Sequence, residues 1–154
     1  MIAIGSDHAG FRLKEKIKDF LRKRGVELHD FGPDDENSVD YPDFGEKVAR
    51  AVSEEKVERG ILICGSGLGM TIVANKFKGV RATLCHDEYT AKMSRAHNDS
   101  NLLTLGARVL DEETALKIVE IWLDTPFEGG RHLRRLNKIK EIENKNFKRE
   151  LKDE

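Results

Sequence analysis

Cys64 stands directly before three glycines in alternate positions, Gly65-Ser66-Gly67-Leu68-Gly69-Met70, and directly after the apolar run Gly60-Ile61-Leu62-Ile63. A strand that ends in glycines and turns into a helix presents converging backbone N–H groups, which cradle an anion. Amide donors and the positive end of a helix also favour a thiolate, so Cys64 is a candidate base or nucleophile. Two plainer readings stand beside these: a tight turn that needs positive φ at glycine, and a buried cysteine closing the core end of a strand. The dinucleotide fingerprint G-x-G-x-x-G fits less well, because Met70 occupies its third glycine position, although Asp87 follows at the end of an apolar strand. A nucleophile elbow around Ser66 fails, because residue 64 is not glycine.

Three further groups could do chemistry. Asp7 and His8 follow the first apolar run and suit sugar hydroxyls or proton transfer, or else a helix cap beside a solvent-facing ring. His97-Asn98-Asp99 ends a helical stretch, where the histidine could serve as general acid and base, or could cap the helix. Gly129-Gly130-Arg131-His132-Leu133-Arg134-Arg135 is the one dense basic cluster; Arg131 and Arg135 share a helix face and can grip one phosphate, unless the segment is a solvated basic turn. It is too compact and too poor in aromatics for a nucleic-acid footprint. Cys85 has no glycines behind it and reads as a core thiol, and no short His or Cys spacing specifies zinc, so no metal is expected.

The elements that must position these residues follow from pattern. The chain has 154 residues, enough for one substantial core, and 27 basic against 28 acidic side chains leave no bulk field for nucleic acid or membrane. No apolar stretch approaches the roughly 18 residues of a membrane span, no leader is visible, and the cytosol is the expected location. Short apolar runs alternate with helical periods, the mark of βα units and a parallel sheet. Strands are expected at 1–5, 26–31, 60–64, 80–84 and 102–105, and helices from 11, at 43–54, 68–76, 87–97 and 112–124. A final helix carrying Leu133, Leu136, Ile139 and Ile142 should pack at its start and fray at its end. Ligands of such sheets gather beyond the carboxyl ends of strands. The stretch 95–101 leads into a strand instead, and would reach that rim only at a helix end or across a subunit boundary.

In order and spacing, the blocks "IGSDHAGF", "GVELHDFG" with "DYP", "GILICGSGLGM" with "ANK", "GVRA", "SRAHNDSNLLTLGARV" and "EGGRH" resemble the type B ribose-5-phosphate isomerases, relatives of the galactose-6-phosphate isomerase subunits. The resemblance runs from residue 1 to about 143, leaving 144–154 as a charged tail. It implies a three-layer α/β/α Rossmann-like fold with a five-stranded parallel sheet of order 2-1-3-5-4. It also implies active sites shared between subunits of a homodimer, or of a tetramer. The implied substrate is a small sugar phosphate, interconverted between aldose and ketose in the pentose phosphate pathway, without a cofactor. Cys64 falls on the family's base; members that use a glutamate carry it where this chain has Met70. Gly65, Ser66, Gly67, Leu68 and Gly69 fall on the enediolate cradle. His97 would open the sugar ring and Asn98 bind an oxyanion or hydroxyl. Asp7, His8 and Tyr41 would hold the sugar, and Arg108, Arg131 and Arg135 the phosphate, with His132 nearby. The galactose-6-phosphate subunits each lack part of this set. Isomerisation of a six-carbon sugar phosphate such as allose or galactose 6-phosphate is the alternative, and a dinucleotide-binding domain a more distant one.

Overall fold

The computed structural model describes residues 1–150. Along the chain run β1 (Ile2–Ser6), α1 (Phe11–Lys23), β2 (Leu28–Asp30), α2 (Tyr41–Ser53), β3 (Arg59–Cys64) and α3 (Leu68–Ala74). They are followed by β4 (Ala82–Leu84), α4 (Glu88–Ala96), β5 (Leu102–Gly106), α5 (Glu112–Asp124) and α6 (Arg131–Glu150). The strands form one parallel sheet of order β2-β1-β3-β5-β4, with Ile4 opposite Ile61 and Cys64 opposite Gly106. The expected α/β class and strand order are therefore present. Among the described residues no helix is long and apolar enough to cross a membrane.

Alternation along the strands divides the core. Ile2, Ile4, Ile61, Ile63, Leu103 and Leu105 face a layer built by Leu13, Ile17 and Leu21 of α1, Ala91 of α4, and Ile118, Val119 and Trp122 of α5. Ala3, Leu62, Cys64 and Leu102 face Val48, Val52, Met70 and Ala74 of α2 and α3. Strands covered on both faces read as continuous apolar runs, which is why β3 and β5 were legible without polar alternation.

Local chemistry sets the boundaries. Gly25, at φ +74°, closes α1, and the Val26 N–H donates to Leu21 O, so Val26 belongs to the helix cap and β2 starts later than expected, at Leu28. At the next shortened strand the Val80 N–H donates to Phe77 O, and β4 starts only at Ala82, whose backbone pairs with both amide atoms of Asn75. That pairing also ends α3 earlier than expected. Asp87 and Thr90 form a reciprocal capping box on α4, and Asp111 accepts from the Thr114 N–H at 2.7 Å at the start of α5.

The final helix departs from expectation. It runs unbroken through residue 143 to Glu150, and Leu133, Ile139 and Ile142 lie about half exposed, so its apolar stripe is not packed on this chain's core at its start. Residues 151–154 of the expected tail lie outside the described ones.

One ion cluster ties α1 to the segment before α2. Lys14 is fully buried, and its ammonium donates to both carboxylate oxygens of Asp30, at 2.9 and 3.1 Å, and to Pro33 O. Lys18 donates to the same carboxylate at 2.6 Å. Burial opposes charge on Asp30, but Lys18, Lys14 and the Gly32 N–H outweigh it and hold the carboxyl below the usual carboxylate range. A carboxyl with a depressed folded-state value adds stability above its ordinary pKa, and that stability is lost as pH falls through the depressed value. Asp30→Ala strands the Lys14 ammonium, and should lower stability at neutral pH by about 3 kcal/mol or more. Urea denaturation checks this, and the deficit of the variant against the parent should shrink on acidification toward pH 3.

Candidate functional site

At the carboxyl edge of β3 the chain folds back on its own thiol. The Gly67 N–H donates to Cys64 Sγ at 3.2 Å, and the sulfur is buried on the sheet side of the loop. Gly67 makes this possible. Its φ is +80°, and a Cβ there would lie 2.5 Å from Leu84 Cδ1 and 3.0 Å from the Leu105 carbonyl carbon. The tight-turn and donor-cradle readings of the glycines are thus one structure. Behind the loop, the Thr71 hydroxyl donates to Gly67 O at 2.8 Å and lies 2.6 Å from the Thr104 hydroxyl of β5, which anchors the turn to the sheet.

A cleft of about 470 Å³ opens over this turn, lined by Asp7, Tyr41, Cys64, Gly65, Ser66, Gly69, Arg108 and Val109. Each side chain arrives for a local reason. Asp7 follows β1, accepts from the Gly10 N–H at 2.9 Å with one carboxylate oxygen and is buried, so it both caps the approach to α1 and borders the cleft. Tyr41 opens α2, and its ring lies so close over Gly69 that a Cβ there would meet it at 2.7 Å. Arg108 follows β5; its backbone N–H donates to Gly65 O, and its guanidinium packs over the same glycine. Ser66 is exposed, with its hydroxyl accepting from the Leu68 N–H at 3.3 Å. Val109, also in the lining, carried no chemical signal in the sequence.

Other expected residues lie elsewhere. Leu68 points outward, 57% exposed, and Met70, at the third position of the dinucleotide fingerprint, is fully buried in the core. His8 does not line the cleft; its Nδ1 accepts from the Val39 N–H at 3.2 Å and holds the segment leading into Tyr41. Cys85 is buried, and burial raises its thiol above the ordinary value, in keeping with a core residue.

The remaining residues gather at the opposite edge of the sheet. α4 runs back from the carboxyl edge, so His97 at its end lies beside the start of β5. The Glu128 N–H donates to Ala96 O, which brings the turn before α6 to the same place. Gly129 and Gly130, both at positive φ, then start α6, with Arg131 and Arg135 exposed and His132 buried. The rings of His97 and His132 stack at 4.0 Å, 13° from parallel. Their Nε2 atoms lie 3.8 and 3.5 Å from Glu128 Oε2. Burial first, then the neighbouring His97, Arg131 and Arg135, hold the His132 imidazolium below its usual pKa against the pull of Glu128. Asn98 is exposed beside this group. Glu128 was missed in the sequence; its position four residues before His132 was the available sign.

Comparison with known proteins supports a single relationship. The family model described as Ribose/Galactose Isomerase matches residues 2–139. The chain is 49% identical to ribose-5-phosphate isomerase B of Escherichia coli, covering 92% of this chain and 95% of that one. It is 45% identical to D-erythrulose-4-phosphate isomerase of Pectobacterium atrosepticum, covering 90% and 91%. The solved structure of ribose-5-phosphate isomerase B from Clostridium thermocellum superposes with a TM-score of 0.92 at 56% identity, covering 94% and 98%.

The turn at Gly67 should tolerate no side chain. Gly67→Ala combines left-handed strain of about 1–2 kcal/mol with close contacts to the Leu84 side chain and to the β5 backbone. Gly79→Ala, at φ +79° with nothing within 4 Å, meets the strain alone. Urea midpoints should therefore fall clearly further for Gly67→Ala, and the rate of Cys64 alkylation should change only in that variant.

Proposed function

The chain belongs to the ribose/galactose isomerase family, and we propose that within it the protein interconverts D-ribose 5-phosphate and D-ribulose 5-phosphate through a cis-enediolate, in the cytosol and without a cofactor. The observation that carries this reading is the buried Cys64 sulfur, held by the Gly67 N–H at 3.2 Å beneath a cleft bordered by Asp7, Tyr41 and Arg108.

In this reaction the Cys64 thiolate takes the C2 proton of the open-chain aldose. The electron pair forms the C1–C2 double bond and the carbonyl oxygen O1 becomes an enediolate oxyanion; O1 then takes up the proton of the O2 hydroxyl, O2 becomes the ketose carbonyl, and the thiol returns its proton to C1. A single base serves both steps because C1 and C2 of a cis-enediolate present the same face. General base work of this kind is worth about 10²–10⁴ in rate, and each donor to the oxyanion about 10²–10³. Free N–H groups of the Gly65–Gly69 loop and the Ser66 hydroxyl are the donors at hand. Asp7 and Tyr41 hold sugar hydroxyls, and a phosphate gripped by arginines far from the reacting carbons fixes the sugar's register.

The proposed ring-opening residues, His97 and Asn98, and the phosphate residues Arg131 and Arg135 lie at the other sheet edge from Cys64. We therefore assign the complete site to a homodimer, in which the carboxyl edge of one copy faces the amino edge of its partner. The exposed apolar side chains Leu68, Ile72 and Val109 near the cleft, and Leu133, Ile139 and Ile142 on α6, supply apolar surface for such a pairing. Within this reading, the domain spans 1–143 and is followed by the charged tail 144–154.

A relative named for a four-carbon substrate keeps sugar length open as a second reading. Comparing kcat/KM for ribose 5-phosphate, allose 6-phosphate, galactose 6-phosphate and erythrulose 4-phosphate decides it, with ribose 5-phosphate expected to lead.

Cys64→Ala should lose at least 10²-fold in kcat and should stop solvent deuterium from entering C2 of recovered ribose 5-phosphate; unchanged exchange would remove Cys64 from the chemistry. The shared site makes a second demand. Cys64→Ala and His97→Ala, each inactive alone, should recover about one quarter of parental activity when unfolded together and refolded as an equal mixture, because half of the random dimers carry one intact site.

A further inference from the structure

At the amino edge of the sheet, three side-chain atoms able to ligate one ion lie close together. His132 is 94% buried by its 6% exposure, and its Nε2 has no hydrogen-bond partner. The oxygen nearest to it, Glu128 Oε2 at 3.5 Å, also lies 3.8 Å from His97 Nε2, and all three atoms fall within 4.8 Å of one another. A buried nitrogen without a partner is costly. A cation shared by the two imidazoles and the carboxylate would supply that partner.

We propose that His97, Glu128 and His132 bind a divalent zinc-class cation, and that its binding arrests the enzyme by occupying His97. The arrest rests on the function proposed above; the binding does not.

Ligand type and spacing select the class of ion. Two imidazoles and one carboxylate suit zinc, cobalt, nickel or copper, whereas magnesium prefers oxygen ligands and retains its waters. Zinc bonds of 2.0–2.1 Å in a tetrahedron place ligand atoms about 3.3 Å apart. Closing 3.8 and 3.5 Å, and a third separation of no more than 4.8 Å, to that spacing requires movements from a few tenths of an ångström up to about 1.5 Å. The two flanking ligands have that freedom: the His97 side chain is 35% exposed and that of Glu128 55%, while His132 is fixed by its burial. Because the rings are stacked 13° from parallel, the His97 ring must rotate out of the stack for its lone pair to meet the shared point. Glu128 and His132 are four residues apart and share a turn, and the bond from the Glu128 N–H to Ala96 O fixes that turn against the residue preceding His97.

The test uses the full chain and zinc alone. Competition against a chromophoric chelator should give one zinc per chain. Cobalt should show the visible absorption of a four-coordinate site, without the near-ultraviolet band of a thiolate ligand. Glu128→Gln and His132→Asn should each weaken zinc binding at least tenfold, and Cys64→Ala should leave it unchanged. In the ribose 5-phosphate assay, zinc should inhibit the parent reversibly on adding EDTA, and magnesium should not. Glu128→Gln, which keeps the proposed catalytic groups, should turn over normally and require at least tenfold more zinc for half inhibition. Zinc binding that survives Glu128→Gln and His132→Asn, or that disappears in Cys64→Ala, overturns the site. An active isomerase that neither binds zinc nor is inhibited by it does the same. Zinc binding with these ligand dependences, in a protein that isomerises no sugar phosphate, would keep the site and overturn the proposed function.

Discussion

Parallel pairing is the constraint on which everything else here depends. When all strands of a sheet point one way, each strand delivers its loop at the carboxyl edge, and each crossover helix returns the chain to the amino edge. Cys64, Asp7 and Arg108 each follow a strand, and so they meet in one cleft. His97 follows a helix and must arrive at the other edge, where the turn before α6 brings Glu128 and His132 beside it. No adjustment of side chains can merge the two groups within one chain, because the length of the strands separates them.

The cleft owes its shape to packing beneath it. Gly67 lies against Leu84 and the β5 backbone, while Thr71, itself hydrogen-bonded to Thr104, holds its carbonyl from behind. With the turn fixed at both ends, the Gly67 N–H is left directed at the Cys64 sulfur. The rim is tied down by longer reach: Lys14 joins Asp30 to Pro33, and the Val39 N–H donates to His8, so the segment that delivers Tyr41 is anchored at two points to β1, β2 and α1. His8 therefore acts in this chain as a strut, with its Nδ1 occupied.

Much of this was legible from residue pattern. Apolar runs of β1, β3 and β5 identified themselves because each is buried on both faces. Gly25 marked the end of α1, and Asp111 with Thr114 the start of α5, since caps are local chemistry. The strand order came from family resemblance, and agrees with the fold. Legibility failed where partners are distant in sequence. Asn75 ends α3 by pairing with Ala82, Met70 is consumed by the core, and the stripe on α6 looks like a core face yet lies half exposed on this chain. Periodicity reports that a helix has an apolar side; it does not report what covers it.

By itself the sequence determined the alternation of strands and helices, the glycine turn after Cys64 and the identity of the groups able to do chemistry, because these depend on neighbouring residues and their backbone preferences. Only the tertiary structure decided which groups meet: Tyr41 over Gly69, Arg108 over Gly65, and Glu128 beside the Nε2 atoms of two stacked histidines. Such meetings depend on strand register and crossover direction, which place residues far apart in the chain within a few ångströms and which no local pattern encodes.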